Sequence, residues 1–385
     1  MPLSHRLFSR IDEVDAAAWD ALHDGPDDVF MDRRWLGVVE RTVGAPVTAY
    51  RYLIVGDDTG RPVLSACLVE TTLDSVLISS DWLRQLVGSV RLLVPQTLRL
   101  RSLQVGSPVH CGQSQLRLAP GVTSATALGY LVRLLERLAR EMRARLILFS
   151  EHPDGDAASL APLEALGFLR ADSLPMYRFD GAFRSVEQFA AALRSHYRYK
   201  LRRSQRKFAA SGLRTRTLEG AEILHLYSPD VHELYLLVSR RAQFRLDPLP
   251  HAFFVELVRC LPDRVALHVV FEGKTPIAFA WSLFDSRCCR NIFIGYDNQR
   301  PDQADLYFNL MLLQLDFALS RGAGRILLGQ TAGEFKSRIG CAADRLALYV
   351  RPLGPDLALA QRLFRPWLFP TAEGPTARHL YRPPR

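Results

Sequence analysis

Two stretches in the first half of the chain are rich in apolar and β-branched residues and flank a polar turn, which is the pattern of paired strands. They are Val47–Val55 and Arg61–Thr71, and the turn Asp57–Gly60 between them predicts a hairpin. Apolar residues then recur at helical spacing from about Ser124 to Met142 and predict a helix. A strand is predicted directly after it at Arg145–Ser150, so this half places strands on both sides of a helix.

The second half begins near Ser185 and predicts helices, a three-stranded meander, another helix and a final strand. The meander strands are Arg264–Phe271, Pro276–Phe284 and Cys288–Tyr296. The helix is expected from about Asp302 to Arg321 and the last strand at Arg325–Leu328. This order is the core of the Gcn5-related N-acetyltransferase (GNAT) fold. We therefore expect an α/β protein with mixed sheets and two tandem GNAT-like domains, at residues 1–180 and 181–351, followed by a Pro/Arg-rich tail at 352–385.

Composition fits a soluble globular protein, since 48% of the 385 residues are hydrophobic and 23% are charged. These values exclude an intrinsically disordered chain. Residues 1–15 lack the apolar core of a secretory signal, and no run of 18 apolar residues predicts a spanning helix. The six cysteines form no C-x-x-C pair and the ten histidines show no metal-ligand spacing. We therefore expect no metal site and a cytoplasmic location.

The positive charge is concentrated in one segment. Lys plus Arg exceeds Asp plus Glu by 9, and the window Leu193–Arg216 holds nine basic residues and no acidic one. We expect one helix to carry this window, beginning at the capping residue Ser185 and ending at Gly212.

Three of these basic residues, Lys200, Arg203 and Lys207, form a stripe along one edge of the apolar face of this helix. The stripe is either an ordinary solvated face or a binding surface for phosphate, as on an RNA end, a nucleotide-linked precursor or a lipid head group. Binding of the second kind would weaken strongly with salt.

The segment Asp297–Asp305 lies where GNAT enzymes bind the pyrophosphate of acetyl-CoA on backbone N–H groups at a helix N-terminus. It has no glycine, Pro301 lacks a donor, and Asp302 and Asp305 carry the wrong charge for phosphate. The segment argues against the standard acetyl-CoA contacts, although a cofactor bound through rearranged contacts stays open. We expect no tightly bound cofactor.

The segment Gly329–Gly340 follows directly on a predicted strand, where open α/β sheets place ligands. It brings together an amide (Gln330), a carboxylate (Glu334), an ammonium (Lys336) and a guanidinium (Arg338). Amide-forming acyl transfer needs a donor for the developing oxyanion and a group that orients or neutralises the attacking amine. Lys336 or a backbone N–H could serve the first need, and Glu334 or Gln330 the second. Each of these side chains alone could equally form a structural salt bridge or a loop hydrogen bond.

The preceding helix carries Tyr307 and Asn309, and the meander ends beside it at Tyr296 and Asp297. Asn309 is either a satisfied core amide or a contact to substrate, and the other three could border the same pocket. His196 in the basic helix fits a partly exposed histidine better than a catalytic base.

Three motifs, together with the basic helix near Tyr197–Arg203, resemble the FemAB/CelD-like branch of the N-acyltransferase superfamily. The motifs are Tyr307-Phe308-Asn309-Leu310, Gly329-Gln330-Thr331-Ala332 and Lys336-x-Arg338-Ile339-Gly340. The resemblance is good across about Ser185–Arg351 and looser before it.

The resemblance implies two tandem acetyltransferase-like domains. Fem-type peptidoglycan ligases move an aminoacyl group from tRNA to a cell-wall precursor, with a Phe-Lys pair at the acyl-transfer centre. Phe335-Lys336 occupies the matching place, and Lys200 and Arg203 match the phosphate-binding residues. This chain lacks the long helical arm for tRNA, so acyl-CoA, acyl-carrier protein and aminoacyl-tRNA all stay open as donors.

We therefore expect an acyltransferase that forms an amide on an amine of a small-molecule or cell-envelope precursor. The expected catalytic residues are Gln330, Glu334, Phe335 and Lys336, and the expected substrate-binding residues are Lys200, Arg203, Lys207, Tyr296, Asp297, Tyr307, Asn309 and Arg338. Expected partners are a phosphate-bearing acceptor and a tRNA or carrier-protein donor. Peripheral contact with a membrane is compatible with the sequence, and we do not expect DNA as a partner. Two alternatives remain: an acetyl-CoA-dependent GNAT acetyltransferase, and a non-catalytic protein that binds RNA or a membrane surface through the basic helix.

Overall fold

The computed structural model describes residues 2–23, 28–76, 79–180, 183–241, 247–297, 304–369 and 380–381. The chain divides into two compact units. The first contains residues 1–175 and 344–373, and the second contains residues 176–343 and 374–385. These bounds differ from the expected 1–180, 181–351 and 352–385, because the segment after residue 343 returns to the first unit.

The strands are β1 (Ser4–Phe8), β2 (Val47–Gly56), β3 (Pro62–Asp74), β4 (Arg99–Val105), β5 (Leu116–Leu118), β6 (Leu146–Pro153), β7 (Leu169–Asp172), β8 (Met176–Asp180), β9 (Arg214–Glu219), β10 (Val265–Glu272), β11 (Thr275–Phe284), β12 (Cys288–Tyr296), β13 (Arg325–Leu327), β14 (Ala342–Asp344) and β15 (Leu346–Pro352). The α-helices are α1 (Ala16–Asp20), α2 (Arg33–Thr42), α3 (Asp81–Arg91), α4 (Ser124–Glu141), α5 (Ala157–Leu160), α6 (Pro162–Ala165), α7 (Val186–Ala192), α8 (Ser195–Ala210), α9 (Glu222–Leu226), α10 (Pro229–Arg241), α11 (His251–Cys260), α12 (Leu306–Ser320), α13 (Gly333–Ser337) and α14 (Pro355–Leu368). Within the described ranges, no helix has the length and apolarity needed to cross a bilayer.

The first unit is built on a mixed sheet with the strand order β1-β2-β3-β4-β6-β15-β7, and β5 pairs with β3. The predicted hairpin is confirmed as β2 and β3, and the predicted helix as α4, whose leucines pack on the sheet. Strand β15 comes from far along the sequence and inserts between β6 and β7, antiparallel to both. This insertion is the reason that the segment after residue 343 belongs to the first unit.

The second unit has a mixed sheet with the strand order β14-β8-β13-β12-β11-β10-β9. The predicted meander is confirmed as β10, β11 and β12, which pair antiparallel. The predicted helix and final strand are confirmed as α12 and β13, and β13 runs parallel to β12. The apolar faces of α7, α8 and α12 pack together on this sheet. The meander, helix and parallel strand form the GNAT core that the sequence predicts.

The expectation of one continuous helix from Ser185 to Gly212 is wrong. Ser185 does cap a helix, since its hydroxyl accepts from the Gln188 N–H at 3.2 Å, but this helix, α7, ends at Ala192. Leu193 is extended and forms a β-bridge with Tyr381 near the C-terminus, and the next N–H donates to the Leu380 carbonyl. A new helix, α8, then carries the whole basic stripe.

Candidate functional site

Strands β12 and β13 separate soon after they begin to pair. Their parallel register lasts three residues and ends at Arg290 opposite Leu327. On its other side β13 pairs with β8 over the same residues, and this pairing continues beyond β13: the Leu328 N–H donates to the Tyr177 carbonyl at 2.8 Å and the Tyr177 N–H donates to the Gly329 carbonyl at 3.1 Å. Strand β12 continues to Tyr296. Diverging strands at their carboxyl ends are where open α/β sheets accommodate ligands.

A cavity of about 450 Å³ lies between α8, the start of α12 and α13. Its walls come from the basic helix (Leu193, His196, Tyr197, Lys200, Leu201, Ser204, with Phe189 of α7), from the start of α12 (Asp305, Tyr307, Phe308) and from α13 and the turn after it (Phe335, Arg338, Ile339). Four of the expected site residues therefore line one cavity: Lys200, Tyr307, Phe335 and Arg338. A volume of this size suits a small organic ligand.

The inner wall of the cavity is aromatic. The Phe335 ring lies 5.1 Å from the Tyr307 ring and 5.2 Å from the Phe308 ring, and Tyr296 adds a further ring 6.1 Å from Tyr307. Burial raises the pKa of Tyr307 to about 12, so its hydroxyl stays a hydrogen-bond donor at neutral pH.

Two cations border the cavity. Lys200 is exposed and forms no ion pair with any described residue. Arg338 pairs with Glu334 at 3.0 Å across one helical turn. An aromatic wall with an unpaired ammonium at its edge suits a ligand that has an organic body and an anionic end.

Lys336 lies beside Phe335 in sequence but is not among the residues that line the cavity. Its side chain is 3% exposed, and its Nζ lies 5.4 Å from the centre of the Tyr177 ring. Within the described ranges it forms no ion pair with a carboxylate. Burial lowers the pKa of Lys336 to about 8, against the opposing influence of the nearby Cys341 thiol, whose own pKa rises to about 12.

Two glycines make room for Lys336. A Cβ on Gly333 would lie 1.9 Å from the Tyr177 hydroxyl, so only glycine lets that ring approach helix α13. Gly329 has a φ of +80°, and a Cβ there would lie 3.6 Å from the Lys336 Nζ. The Gly329 backbone therefore lies close to the ammonium.

Most of the other expected residues do not line the cavity. The Lys207 Nζ lies 2.9 Å from the Asp305 carboxylate, which does line it, whereas Arg203 is exposed on α8 outside it. Glu334 faces solvent, while Gln330 and Asp297 are half-buried at the ends of their strands. Residues 298–303 lie outside the described ranges, so the expectation about acetyl-CoA contacts stays a prediction.

A family model described as FemAB-like, peptidoglycan biosynthesis/recognition, matches residues 107–351, well over half of the sequence. The chain belongs to the FemAB-like family. The matched span contains the basic helix, the cavity and Lys336, so the resemblance that the motifs indicate is confirmed. No curated protein matches the sequence.

Solved structures similar to this FemAB-like chain share its fold at low identity. A tandem GNAT protein from the clavulanic acid biosynthesis pathway is 12% identical with a TM-score of 0.55, and the match covers 92% of this chain and 99% of that one. FemX is 12% identical with a TM-score of 0.55 and coverages of 94% and 99%. L-PGS from Bacillus licheniformis is 11% identical with a TM-score of 0.52 and coverages of 93% and 98%. The expected architecture of two GNAT-like domains is confirmed, and family and fold together make this chain a transferase.

Asn309 of the FemAB-like chain uses its amide within the protein. Its Nδ2 lies 3.1 Å from the Ser204 hydroxyl, 3.0 Å from the Ala304 carbonyl and 3.1 Å from the Asp305 carbonyl. The amide thereby ties α12 to the basic helix. We expect Asn309→Ala to lower the free energy of unfolding by about 1–3 kcal/mol, measured by urea denaturation, with turnover of the folded fraction unchanged.

The matched variant is Asn309→Asp, which keeps the size but turns a carboxylate oxygen toward these acceptors. It should be no more stable than Asn309→Ala. A stable Asp variant, or a selective loss of turnover in either variant, would instead favour a contact to substrate.

Sequence reasoning missed Tyr177 and Cys341, the two side chains beside Lys336. Tyr177 reaches this position because β8 pairs with β13, and nothing in the alternation of Met176–Asp180 indicates that partner. Cys341 follows Lys336 by five residues, directly after the motif, and appears in the sequence only as an isolated cysteine.

Stability of the FemAB-like chain should depend on pH through Lys336. Its folded pKa of about 8 lies below its ordinary 10.5, so between these values the unfolded chain binds more protons than the folded one. The buried ammonium therefore lowers the free energy of unfolding by its full cost below about pH 8, and this cost is lost as the pH rises toward 10.5. We expect Lys336→Met to have a higher free energy of unfolding than the wild type at pH 7. This difference should shrink as the pH rises from 7 to 10, as measured by denaturation. A pH-independent difference would contradict the shifted pKa.

Proposed function

We propose that this FemAB-like transferase joins an activated acyl or aminoacyl group to an amine of a small-molecule or cell-envelope precursor, forming an amide. The observation that carries the proposal is Lys336, a buried amine that pairs with no carboxylate of the described residues. It neighbours Phe335 of the cavity wall in the motif that indicates the family. A structural lysine at this depth would normally be paired, because an isolated buried charge is costly.

The proposed step needs no group beyond the two substrates and the protein. The nitrogen of the acceptor attacks the acyl carbon and forms the C–N bond, while negative charge develops on the acyl oxygen. The tetrahedral species then collapses, the bond to the leaving group breaks with its electron pair, and the proton lost by the amine goes to that group or to water. At pH 7 most Lys336 is protonated, since its pKa is about 8, and its ammonium stabilises the oxyanion in a site with little water.

The cavity supports an acceptor that carries phosphate. Its aromatic wall accommodates the organic part, and the unpaired Lys200 faces the anionic part. We propose that Arg203 and Lys207 extend this attraction along α8. Glu334, paired with Arg338, would shape the outer edge and could orient the amine if that pair opens.

The donor is proposed to be acyl-CoA, acyl-carrier protein or aminoacyl-tRNA, with no tightly bound cofactor. Calorimetric titration with coenzyme A separates donors that are held by their coenzyme A part from acyl-carrier protein and aminoacyl-tRNA. We expect weak or undetectable binding, because the segment from Asp297 to Asp305 has no glycine and several acidic residues. Tight binding would contradict this reading and favour an acetyl-CoA-dependent acetyltransferase.

A further inference from the structure

Helices α3 and α14 of the first unit meet where α3 begins and α14 ends. A small apolar core joins them, with Leu83 and Val87 of α3 packed in one cluster with Leu368 of α14. The Ser80 N–H donates to the Trp367 carbonyl at 2.8 Å, and the rings of Trp82 and Trp367 lie 6.2 Å apart. The exposed faces of the two helices therefore join at Trp82 and Trp367.

This outer surface is apolar. Each helix exposes large side chains at intervals of four residues: Trp82, Leu86 and Val90 on α3, and Leu359, Leu363 and Trp367 on α14. The turn after α3 adds Leu92 and Leu93, which are 86% and 87% exposed. Contiguous exposed apolar residues of this kind mark a site of interaction rather than ordinary surface.

The charge around the surface is positive. The acidic residues of the two helices are neutralised locally, since Asp81 pairs with Arg84 and Asp356 pairs with Arg145. Arg362 and Arg365 project from α14 between the apolar residues, and neither forms an ion pair with a described residue. The surface is therefore complementary to a partner that is apolar at its centre and negatively charged where it meets water.

We infer that α3 and α14 form a docking surface for an anionic lipid bilayer. Tryptophan side chains favour the boundary between head groups and acyl chains, leucines insert below it, and arginines pair with anionic head groups above it. Helices of 11 and 14 residues are shorter than the roughly 20 that span a bilayer, so they lie in its plane. A symmetric dimer through this face would bring two positive rims together, which disfavours a second copy as the occupant.

This binding surface does not rest on the proposed acyl transfer. Both helices lie outside residues 107–351, so the property belongs to this chain and not to the part shared with the family model. The two ideas can therefore fail separately.

Flotation with lipid vesicles tests the surface directly. The full-length protein is mixed with vesicles of phosphatidylcholine alone or of phosphatidylcholine with phosphatidylglycerol, and tryptophan emission is recorded in parallel. Trp82 and Trp367 are 54% and 45% exposed, while Trp19, Trp35 and Trp281 are buried, so a blue shift reports on the two surface tryptophans. We expect binding and a blue shift with the anionic vesicles only, both weakened by salt.

Two variants and one control complete the experiment. Leu86→Gln/Leu363→Gln removes one exposed leucine from each helix, and Arg362→Glu/Arg365→Glu reverses the charge of the two arginines on α14. Each double variant should weaken binding to anionic vesicles about tenfold or more. Leu224→Gln, at an exposed position in the second unit, should bind like the wild type, and equal melting temperatures show that all three fold.

The inference would be overturned if the wild-type protein did not float with anionic vesicles, or if the variants floated like the wild type. It would also be overturned if the wild type formed a dimer, bound no lipid, and became monomeric in Leu86→Gln/Leu363→Gln. The last result would assign the surface to contact between copies of the chain.

Discussion

Lys336→Met is expected to lower turnover by about 10²–10³-fold, the usual cost of removing one donor to a developing oxyanion. The same substitution should raise the free energy of unfolding at pH 7. Burial lowers the pKa of Lys336 from 10.5 to about 8, and at 1.36 kcal/mol per unit the buried charge costs up to about 3 kcal/mol. Methionine has a similar length and removes that cost. Steady-state rates and urea denaturation of the same preparations measure both effects.

Opposite changes in activity and stability distinguish a catalytic lysine from a structural one. Replacing a residue that stabilises the fold lowers both activity and stability. Replacing a functional residue lowers activity but commonly raises stability, because such residues are often destabilising. The control is Lys274→Met, which changes an exposed lysine in the hairpin turn between β10 and β11 and should affect neither quantity. Equal turnover in Lys336→Met and wild type would remove this residue from the mechanism, and a large loss of stability would show that it is structural.

Lys200→Glu/Arg203→Glu is expected to weaken binding of a phosphate-bearing ligand by about tenfold or more at low salt, because two positive charges of the basic stripe, one of them on the cavity wall, become negative. Calorimetric titration with UDP, which supplies a pyrophosphate and an aromatic base, measures the effect. The dependence of affinity on salt should also decrease, since fewer cations meet the phosphates.

Arg206→Glu is the matched control, because Arg206 is exposed on the same helix but lies outside both the cavity lining and the stripe of Lys200, Arg203 and Lys207. It should reduce UDP affinity much less than the double variant. Equal losses in both would show that the whole basic helix acts as a diffuse charged face. If the double variant abolishes binding while Lys336→Met changes no activity, the protein is a binding module and the transfer mechanism is wrong.

Local patterns in the sequence predict much of this fold. Strand alternation and turn residues identify the β2–β3 hairpin and the β10–β11–β12 meander within a few residues, and helical spacing identifies α4 and α12. These elements depend on neighbouring residues alone. Motifs in the sequence also identify Tyr307 and Phe335 as site residues, and these two side chains lie on the consecutive helices α12 and α13 of the second unit.

Long-range pairing accounts for what the sequence could not predict. Strand β15 joins β6 and β7 across a long separation, and the break between α7 and α8 depends on a bridge to Tyr381. Tyr177 reaches Lys336 in the same way, through the pairing of β8 with β13. No periodic pattern encodes a partner so distant in sequence. Helix α14 was missed for another reason, because Pro355 and the arginines of the tail suggest an irregular segment although Pro is favourable at the first turn of a helix.

Mass spectrometry of small molecules from matched cells tests the central claim most directly. Cells that lack this gene are complemented with the wild type or with Lys336→Met, and their amine-containing metabolites and envelope precursors are compared. The proposed transfer predicts a compound, heavier by one acyl or aminoacyl group than its precursor, that accumulates with the wild type and falls to background with the variant. Identical profiles for the two complemented strains would contradict it.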